Sequence, residues 1–114
     1  MYFDSHAHLD DKCFQPDFDA ILARMRENGV TGMMNIGCDL PSSERSVALA
    51  EQYDWIWAAV GSHPDDADHV DEARIERYRA LCQSLRVRAI GEIGLDYHYE
   101  DVPREVQKRA FRMQ

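Results

Sequence analysis

The sequence predicts an α/β chain of four consecutive strand–helix units built on a parallel sheet. Three observations carry this prediction. Short apolar, partly β-branched stretches recur at Tyr2 to Asp4, Val30 to Gly37, Ile56 to Gly61 and Val87 to Ile93. Between them, apolar residues fall at helical spacing. The unit repeats at roughly 25–32 residues, enough for one strand, one helix and two short loops. Strands that alternate with helices favour parallel pairing through right-handed crossovers.

Each helix has its own signal. The first carries Phe18, Ile21, Leu22 and Met25 at i, i+3, i+4 and i+7, with Asp17 as its expected N-cap and Asn28-Gly29 as its stop. The second is expected from about Ser43 to Tyr53, burying Val47 and Ala50 and pairing Leu49 with Tyr53. The third follows Asp71, with Ile75, Tyr78, Cys82 and Leu85 at helical spacing. A fourth opens near Pro103, which suits a first turn, and carries Val106, Ala110 and Met113. Trp55 and Trp57 flank Ile56 at strand spacing and read as core packing or partial exposure, and Asp65-Asp66-Ala67-Asp68 reads as a solvated loop.

A doubly wound open sheet and part of a (β/α)8 barrel both fit this order. No Gly-x-Gly-x-x-Gly follows the first strand, which removes the best reason to expect a dinucleotide-binding sheet. Four parallel strands alone would leave two unpaired edges and an incompletely covered face. The amphipathic pattern that begins near Pro103 is still running at Gln114. We therefore expect residues 1–114 to be the N-terminal half of a larger domain, ending within the fourth helix.

Composition narrows the class. With 45% apolar and 30% charged residues the chain is of the globular type. It has no apolar run of membrane-spanning length and no basic-then-apolar leader, so a cytoplasmic protein without membrane contact is expected. Cys13, Cys38 and Cys82 are odd in number and widely spaced, which fits reduced thiols rather than a disulfide framework or a zinc clamp. The net charge of −8 argues against non-specific coating of nucleic acid. It does not argue against an enzyme that meets phosphate through bound cations.

The unusual polar residues collect at the C-terminal ends of the predicted strands, the edge where parallel α/β folds place ligands. His6 and His8 follow the first strand, Cys38-Asp39 the second, and Ser62-His63-Pro64 the third. Glu92 is expected inside the fourth strand, between Gly91 and Ile93, with Asp96 just after it. In an extended segment residues i and i+2 point the same way, so His6 and His8 can converge on one point. A carboxylate in a buried strand is unfavourable by several kcal/mol unless paired or bound to a metal. A shared ion would satisfy Glu92. Two imidazoles and a carboxylate suit zinc, manganese, iron or nickel, and also magnesium where further carboxylates are near. Such sites support hydrolysis. His63 is expected to contact a substrate phosphate through charge or a hydrogen bond. Asp96 and Tyr97 are expected to orient the loop after the fourth strand, and His69 and His98 to be solvated.

Three stretches together resemble the TatD family of metal-dependent hydrolases. They are Asp4-Ser5-His6-Ala7-His8-Leu9-Asp10, Gly61-Ser62-His63-Pro64, and Ala89-Ile90-Gly91-Glu92-Ile93-Gly94-Leu95-Asp96-Tyr97. The third is the most specific, since His-x-His alone would fit the wider amidohydrolase superfamily. The tail from Pro103-Arg104-Glu105 through Gln107 and Phe111 is similar to that family's fourth helix. The resemblance implies the N-terminal half of a (β/α)8 barrel with one or two divalent ions (Mg, Mn or Zn) at the C-terminal mouth. It implies phosphodiester hydrolysis on a DNA substrate, as in a deoxyribonuclease. By position, His6 and His8 would bind one metal, Glu92 would bridge two and take part in catalysis, and His63 would be a catalytic, substrate-binding group near the phosphate. Asp4 and Asp96 would sit behind these residues and orient them. The family usually continues its third-strand motif as His-Pro-His, whereas Asp65 follows Pro64 here. Its later metal and water-activating ligands have no counterpart within these 114 residues. Two other readings therefore stand beside the nuclease. One is a catalytically incomplete chain acting by self-association or by pairing with a missing C-terminal half. The other is an amidohydrolase-like enzyme acting on a non-nucleic-acid ester or amide.

Overall fold

The computed structural model describes residues 1–99 and 101–114. Four parallel strands form one sheet: β1 (Tyr2–Ala7), β2 (Val30–Ile36), β3 (Ile56–Val60) and β4 (Val87–Ile90). Four helices follow them in turn: α1 (Phe18–Glu27), α2 (Leu40–Gln52), α3 (Glu72–Leu81) and α4 (Arg104–Met113). The strand order is β1-β2-β3-β4, each pair parallel. That order separates the two architectures left open by the sequence. A doubly wound sheet reverses direction after its first strands, whereas a barrel adds each strand beside the last. Right-handed crossovers repeated in one direction lay every helix on the same face.

The two faces of the sheet differ accordingly. Alternation along β2 and β3 places Met33, Asn35, Ile56, Ala58 and Val60 on the helix-covered face, where all are fully buried. Met34 and Trp57, paired in register on the other face, stay half-exposed. Phe3, 54% exposed, leans on the Trp57 ring there, with centroids 5.7 Å apart. Burial of the helical face is tied by serines on α2. The Ser46 hydroxyl accepts from Asn35 Nδ2 at 2.8 Å, and Ser43 Oγ both accepts from the Gly61 N–H at 3.1 Å and donates to the Gly61 carbonyl at 3.2 Å. No helix among the described residues is long and apolar enough to cross a membrane.

Several boundaries differ from the sequence expectation, for local physical reasons. β1 runs on to Ala7, so His6 lies in the strand and His8 just beyond it. β4 ends at Ile90, which moves Glu92 out of the strand into the segment that follows. Its side chain is 32% exposed, so the argument from a fully buried carboxylate does not hold. The second helix starts at Leu40 rather than Ser43 because Asp39 and Ser42 form a reciprocal capping box, with Pro41 in the first turn. The third ends at Leu81, leaving Leu85 82% exposed. Asp17 occupies the N-cap position of α1 without a side-chain capping bond, and Pro103 is the N-cap of α4 rather than its first residue. The acidic stretch after His63 is a 3-10 turn, Pro64–His69, and not wholly solvated. Asp66 accepts from Ser62 Oγ at 2.7 Å and pairs with the Arg74 guanidinium. With its one proton given to Asp66, the Ser62 hydroxyl accepts from the buried Tyr78 hydroxyl at 2.6 Å.

The Asp39 cap is pH-sensitive. Burial pushes its carboxyl up, but hydrogen bonds from the Ser42 hydroxyl and amide outweigh this and hold it below the ordinary value of 3.8. A depressed folded-state pKa contributes stability above the unfolded value that is lost as pH falls through the folded one. Asp39→Ala should therefore destabilise the chain by about 1 kcal/mol near neutrality. The gap to wild type should narrow at about pH 2.5, as read from urea midpoints at the two pH values. An equal gap at both would contradict the ionised-cap account.

Candidate metal centre

The C-terminal ends of the strands carry the chemistry. β1 delivers His6 and, one step past its end, His8; the two Nε2 atoms lie 3.2 Å apart. The segment after β4 brings Glu92 Oε1 to 3.8 Å from His6 Nε2. One ligating atom from each of His6, His8 and Glu92 lies within 4.8 Å of the others. An ion with metal–nitrogen bonds near 2.05 Å in tetrahedral geometry separates two imidazole nitrogens by about 3.3 Å. The imidazole spacing fits that requirement.

The register around the cluster is set from behind. The Glu92 N–H donates to the Gly37 carbonyl at 2.6 Å, which docks the segment on the end of β2. Gly61 lets it come that close, since a Cβ there would meet the Gly91 carbonyl carbon at 2.9 Å and the Glu92 oxygen at 3.0 Å. Asp4 Oδ1 accepts the His6 backbone N–H at 3.1 Å. Asn35, 0% exposed, accepts from the Leu9 N–H at 2.6 Å and donates to Asp10 Oδ1 at 2.8 Å. The other Asp10 oxygen takes Arg45 Nε and Nη2, each at 3.2 Å.

Hydrogen bonding separates the roles available to His8 and His63. His8 Nδ1 lies 2.9 Å from the Ile36 carbonyl, which can only accept, so Nδ1 carries the proton. His8 Nε2 then presents its lone pair to His6 Nε2, 3.2 Å away, and toward Glu92, the orientation that a metal-binding imidazole needs. His63 has the opposite tautomer. Its Nδ1 accepts from the Asp65 N–H at 3.2 Å, which leaves Nε2–H as a donor. The outward nitrogen of one imidazole is an acceptor and that of the other a donor.

His8, His63 and Glu92 line a single open cleft of about 360 Å³ together with Asp10, Asp39 and Arg45. Asp96 is not part of that lining; its Oδ1 accepts the His98 N–H at 2.8 Å. Asn35, Asp10 and Arg45 were missed from the sequence alone. The available signal was Asn35, a polar residue within the apolar run Val30 to Ile36. Cys38 also lines the cleft, half-buried and unpaired, while Cys13 and Cys82 are free and exposed.

The family description "TatD related DNase" matches residues 3–114. The chain belongs to the TatD family. TatD relatives are metal-dependent hydrolases and nucleases, and two of them illustrate the range. The uncharacterized metal-dependent hydrolase YabD of Bacillus subtilis is 38% identical over 114 residues, covering 100% of this chain and 45% of that protein. The 3'-5' ssDNA/RNA exonuclease TatD of Enterobacter lignolyticus is 36% identical over 112 residues, covering 98% of this chain and 43% of that protein. Among solved structures, the TatD homologue YJJV of Escherichia coli superposes with a TM-score of 0.87 at 32% identity, over 98% of this chain and 44% of that one. An uncharacterized amidohydrolase from Saccharomyces cerevisiae shares the fold, with a TM-score of 0.83 at 23% identity over 96% of this chain and 41% of that one. The chain thus spans less than half the length of the curated TatD relatives it matches.

Proposed function

We propose that these residues form the N-terminal part of a TatD-type metal centre that hydrolyses phosphodiester bonds in single-stranded nucleic acid. The observation that carries this reading is the convergence of His6, His8 and Glu92, with the His8 Nε2 lone pair aimed into the cluster. His6 and His8 would hold one divalent ion through Nε2, and Glu92 would share it through a carboxylate oxygen. One carboxylate oxygen is then left to reach a second ion. A divalent ion held there supplies an activated water and positive charge for phosphate oxygens. His63 donates Nε2–H to a phosphate oxygen across the cleft and stabilises the charge that grows on it during attack. Asp4, through the His6 N–H, and Asp96, through the loop after β4, act only as orienting groups. The cleft is acidic, with Asp10, Asp39 and Glu92 against Arg45, so a polyanion approaches favourably only when cations are bound.

The same geometry supports a second feature of this reading. Three protein donors leave an ion's shell incomplete. The remaining positions are filled by water or by groups outside these residues, so turnover by this chain alone is expected to be weak.

Calorimetric titration with Mn²⁺ or Zn²⁺, followed by binding of a fluorescent single-stranded oligonucleotide, tests the proposal. The wild-type chain should bind the ion, and oligonucleotide binding should require it. His63→Ala should keep ion binding while lowering oligonucleotide affinity about tenfold, the worth of one charge-assisted hydrogen bond. Absence of ion binding, or oligonucleotide binding indifferent to the ion, would overturn it.

A further inference from the structure

Two glutamine side chains, Gln107 on α4 and Gln114 at its C-cap, stand out among the side-chain hydrogen bonds. Gln107 is 1% exposed although its helix is otherwise strongly charged. Its Oε1 accepts from the Asp96 N–H at 2.8 Å, and its Nε2 donates to the Asp96 carbonyl at 2.8 Å and to the Val102 carbonyl at 2.9 Å. Seven residues on, Gln114 repeats the device on a different loop. Its Oε1 accepts from the Ser62 N–H at 2.7 Å, and its Nε2 donates to the Ser62 carbonyl at 3.1 Å. A primary amide carries one acceptor and a donor in the same plane, so it can pair with both polar groups of one residue as a neighbouring strand would. Residues seven apart lie two turns along one helix face. α4 thus presents two strand-like hydrogen-bonding units to two separate loops.

What the clasped residues adjoin gives the device its meaning. Ser62 directly precedes His63, whose own N–H is held by the Cys38 carbonyl at 2.8 Å. Asp96 closes the segment that begins at Glu92, whose N–H is held by Gly37. The Glu92–Asp96 segment is therefore pinned at both ends, by Gly37 and by Gln107, and the adjacent pair Ser62-His63 is held from two sides, by Gln114 and by Cys38. Between Glu92 and Asp96 lies Gly94 at φ +137°, a conformation open to many backbone states without the downstream anchor. Backbone polar groups in these loops would otherwise need water or would go unpaired.

We propose that Gln107 and Gln114 are positioning residues: an amide clasp at each end of α4 sets where Glu92 and His63 stand relative to the imidazole pair. This rests on the metal-centre reading above. Gln107 acts on the ion-binding side of the cleft and Gln114 on the phosphate side, so the two clasps have separable effects.

The test uses this chain in three measurements. By NMR, the wild-type side-chain amide protons of Gln107 and Gln114 should exchange at least about tenfold more slowly than those of the exposed Gln15 and Gln52. Gln107→Met, nearly isosteric and unable to hydrogen-bond, should lower Mn²⁺ affinity about 10–100-fold, the range seen when groups behind metal ligands are removed. Gln114→Met should leave Mn²⁺ affinity within about twofold while lowering oligonucleotide affinity about tenfold and speeding exchange of the Ser62 amide. Gln114→Glu, which keeps the acceptor for the Ser62 N–H but sets a second acceptor against the Ser62 carbonyl, should not restore that loss, and full restoration would overturn the need for both halves of the clasp. If Gln107→Met is too unstable to titrate, the Gln114 pair and the wild-type exchange rates decide. Fast exchange of both side-chain amides, or equal losses of ion and oligonucleotide binding in Gln114→Met, overturns the clasp. A wild-type chain that binds no ion overturns the metal centre and the positioning role together, whereas normal ion binding unchanged in Gln107→Met overturns the positioning role alone.

Discussion

Replacing His8 by alanine should lower the affinity of the chain for Zn²⁺ or Mn²⁺ by at least about 100-fold, or about 2.8 kcal/mol. The magnitude follows from a lower bound. Removing a group that merely orients a ligand already weakens metal binding by about 10–100-fold, and His8 would supply the ligand itself. Its Nε2 is pre-set for the purpose, because the Ile36 carbonyl holds the proton on Nδ1. His63 provides the internal control. It lines the same cleft, but its Nδ1 is taken by the Asp65 N–H, so its outward nitrogen is a donor. His63→Ala should leave ion affinity within about twofold, well under the effect of removing even a group behind a ligand. Calorimetry on the two variants checks both statements, and similar losses in the two would refute the tautomer assignment.

The largest effect on stability is expected at Asn35. Asn35→Leu preserves volume in a fully buried position but strands three partners at once: the Leu9 N–H, the Asp10 carboxylate and the Ser46 hydroxyl. Asp10 keeps its contact with Arg45, so its charge is not wholly unpaired. Removing one member of such a buried network leaves a penalty of about 3–5 kcal/mol. That is a large share of the stability of a small domain. Urea unfolding followed by circular dichroism would read it, and a loss below about 1 kcal/mol would show that the network is hydrated and relaxed. Because Leu9 follows His8, the same variant should also weaken ion binding.

Much of the site was legible in the chain because its signals are local. His6 and His8 share a direction through the two-residue period of an extended backbone, and that follows from spacing alone. Glu92 stood out because it is ionisable among apolar neighbours. The residue nevertheless lies past the end of β4 and is only partly buried, so burial within a strand is not what sets it apart. Helix starts were less legible. Asp39 and Ser42 begin α2 three residues early because their side chains satisfy backbone groups that hydrophobic periodicity does not register.

The features that escaped the sequence are side-chain hydrogen bonds and ion pairs to partners that neither periodicity nor motif spacing singles out. Asp66 read as one acid in a solvated run, yet Ser62 and Arg74 draw it into a partly buried network. Gln107 and Gln114 read as ordinary positions on a charged helix, and their importance depends on loops up to 52 residues away. Nothing in their immediate neighbours announces those partners.

By itself, the sequence determined the alternation of strands and helices and singled out, at the C-terminal ends of the strands, the three side chains His6, His8 and Glu92 that converge. Periodicity and residue chemistry suffice for those, because each depends on a few neighbouring residues. Only the tertiary structure decided the sequential strand order, the opposite tautomers of His8 and His63, and the anchoring of two loops by one helix. Those depend on which backbone carbonyl or N–H faces a given side chain once the chain has folded. The Ile36 carbonyl comes to His8 from 28 residues away, and the Asp65 N–H comes to His63 through a local turn. Residue spacing alone registers neither.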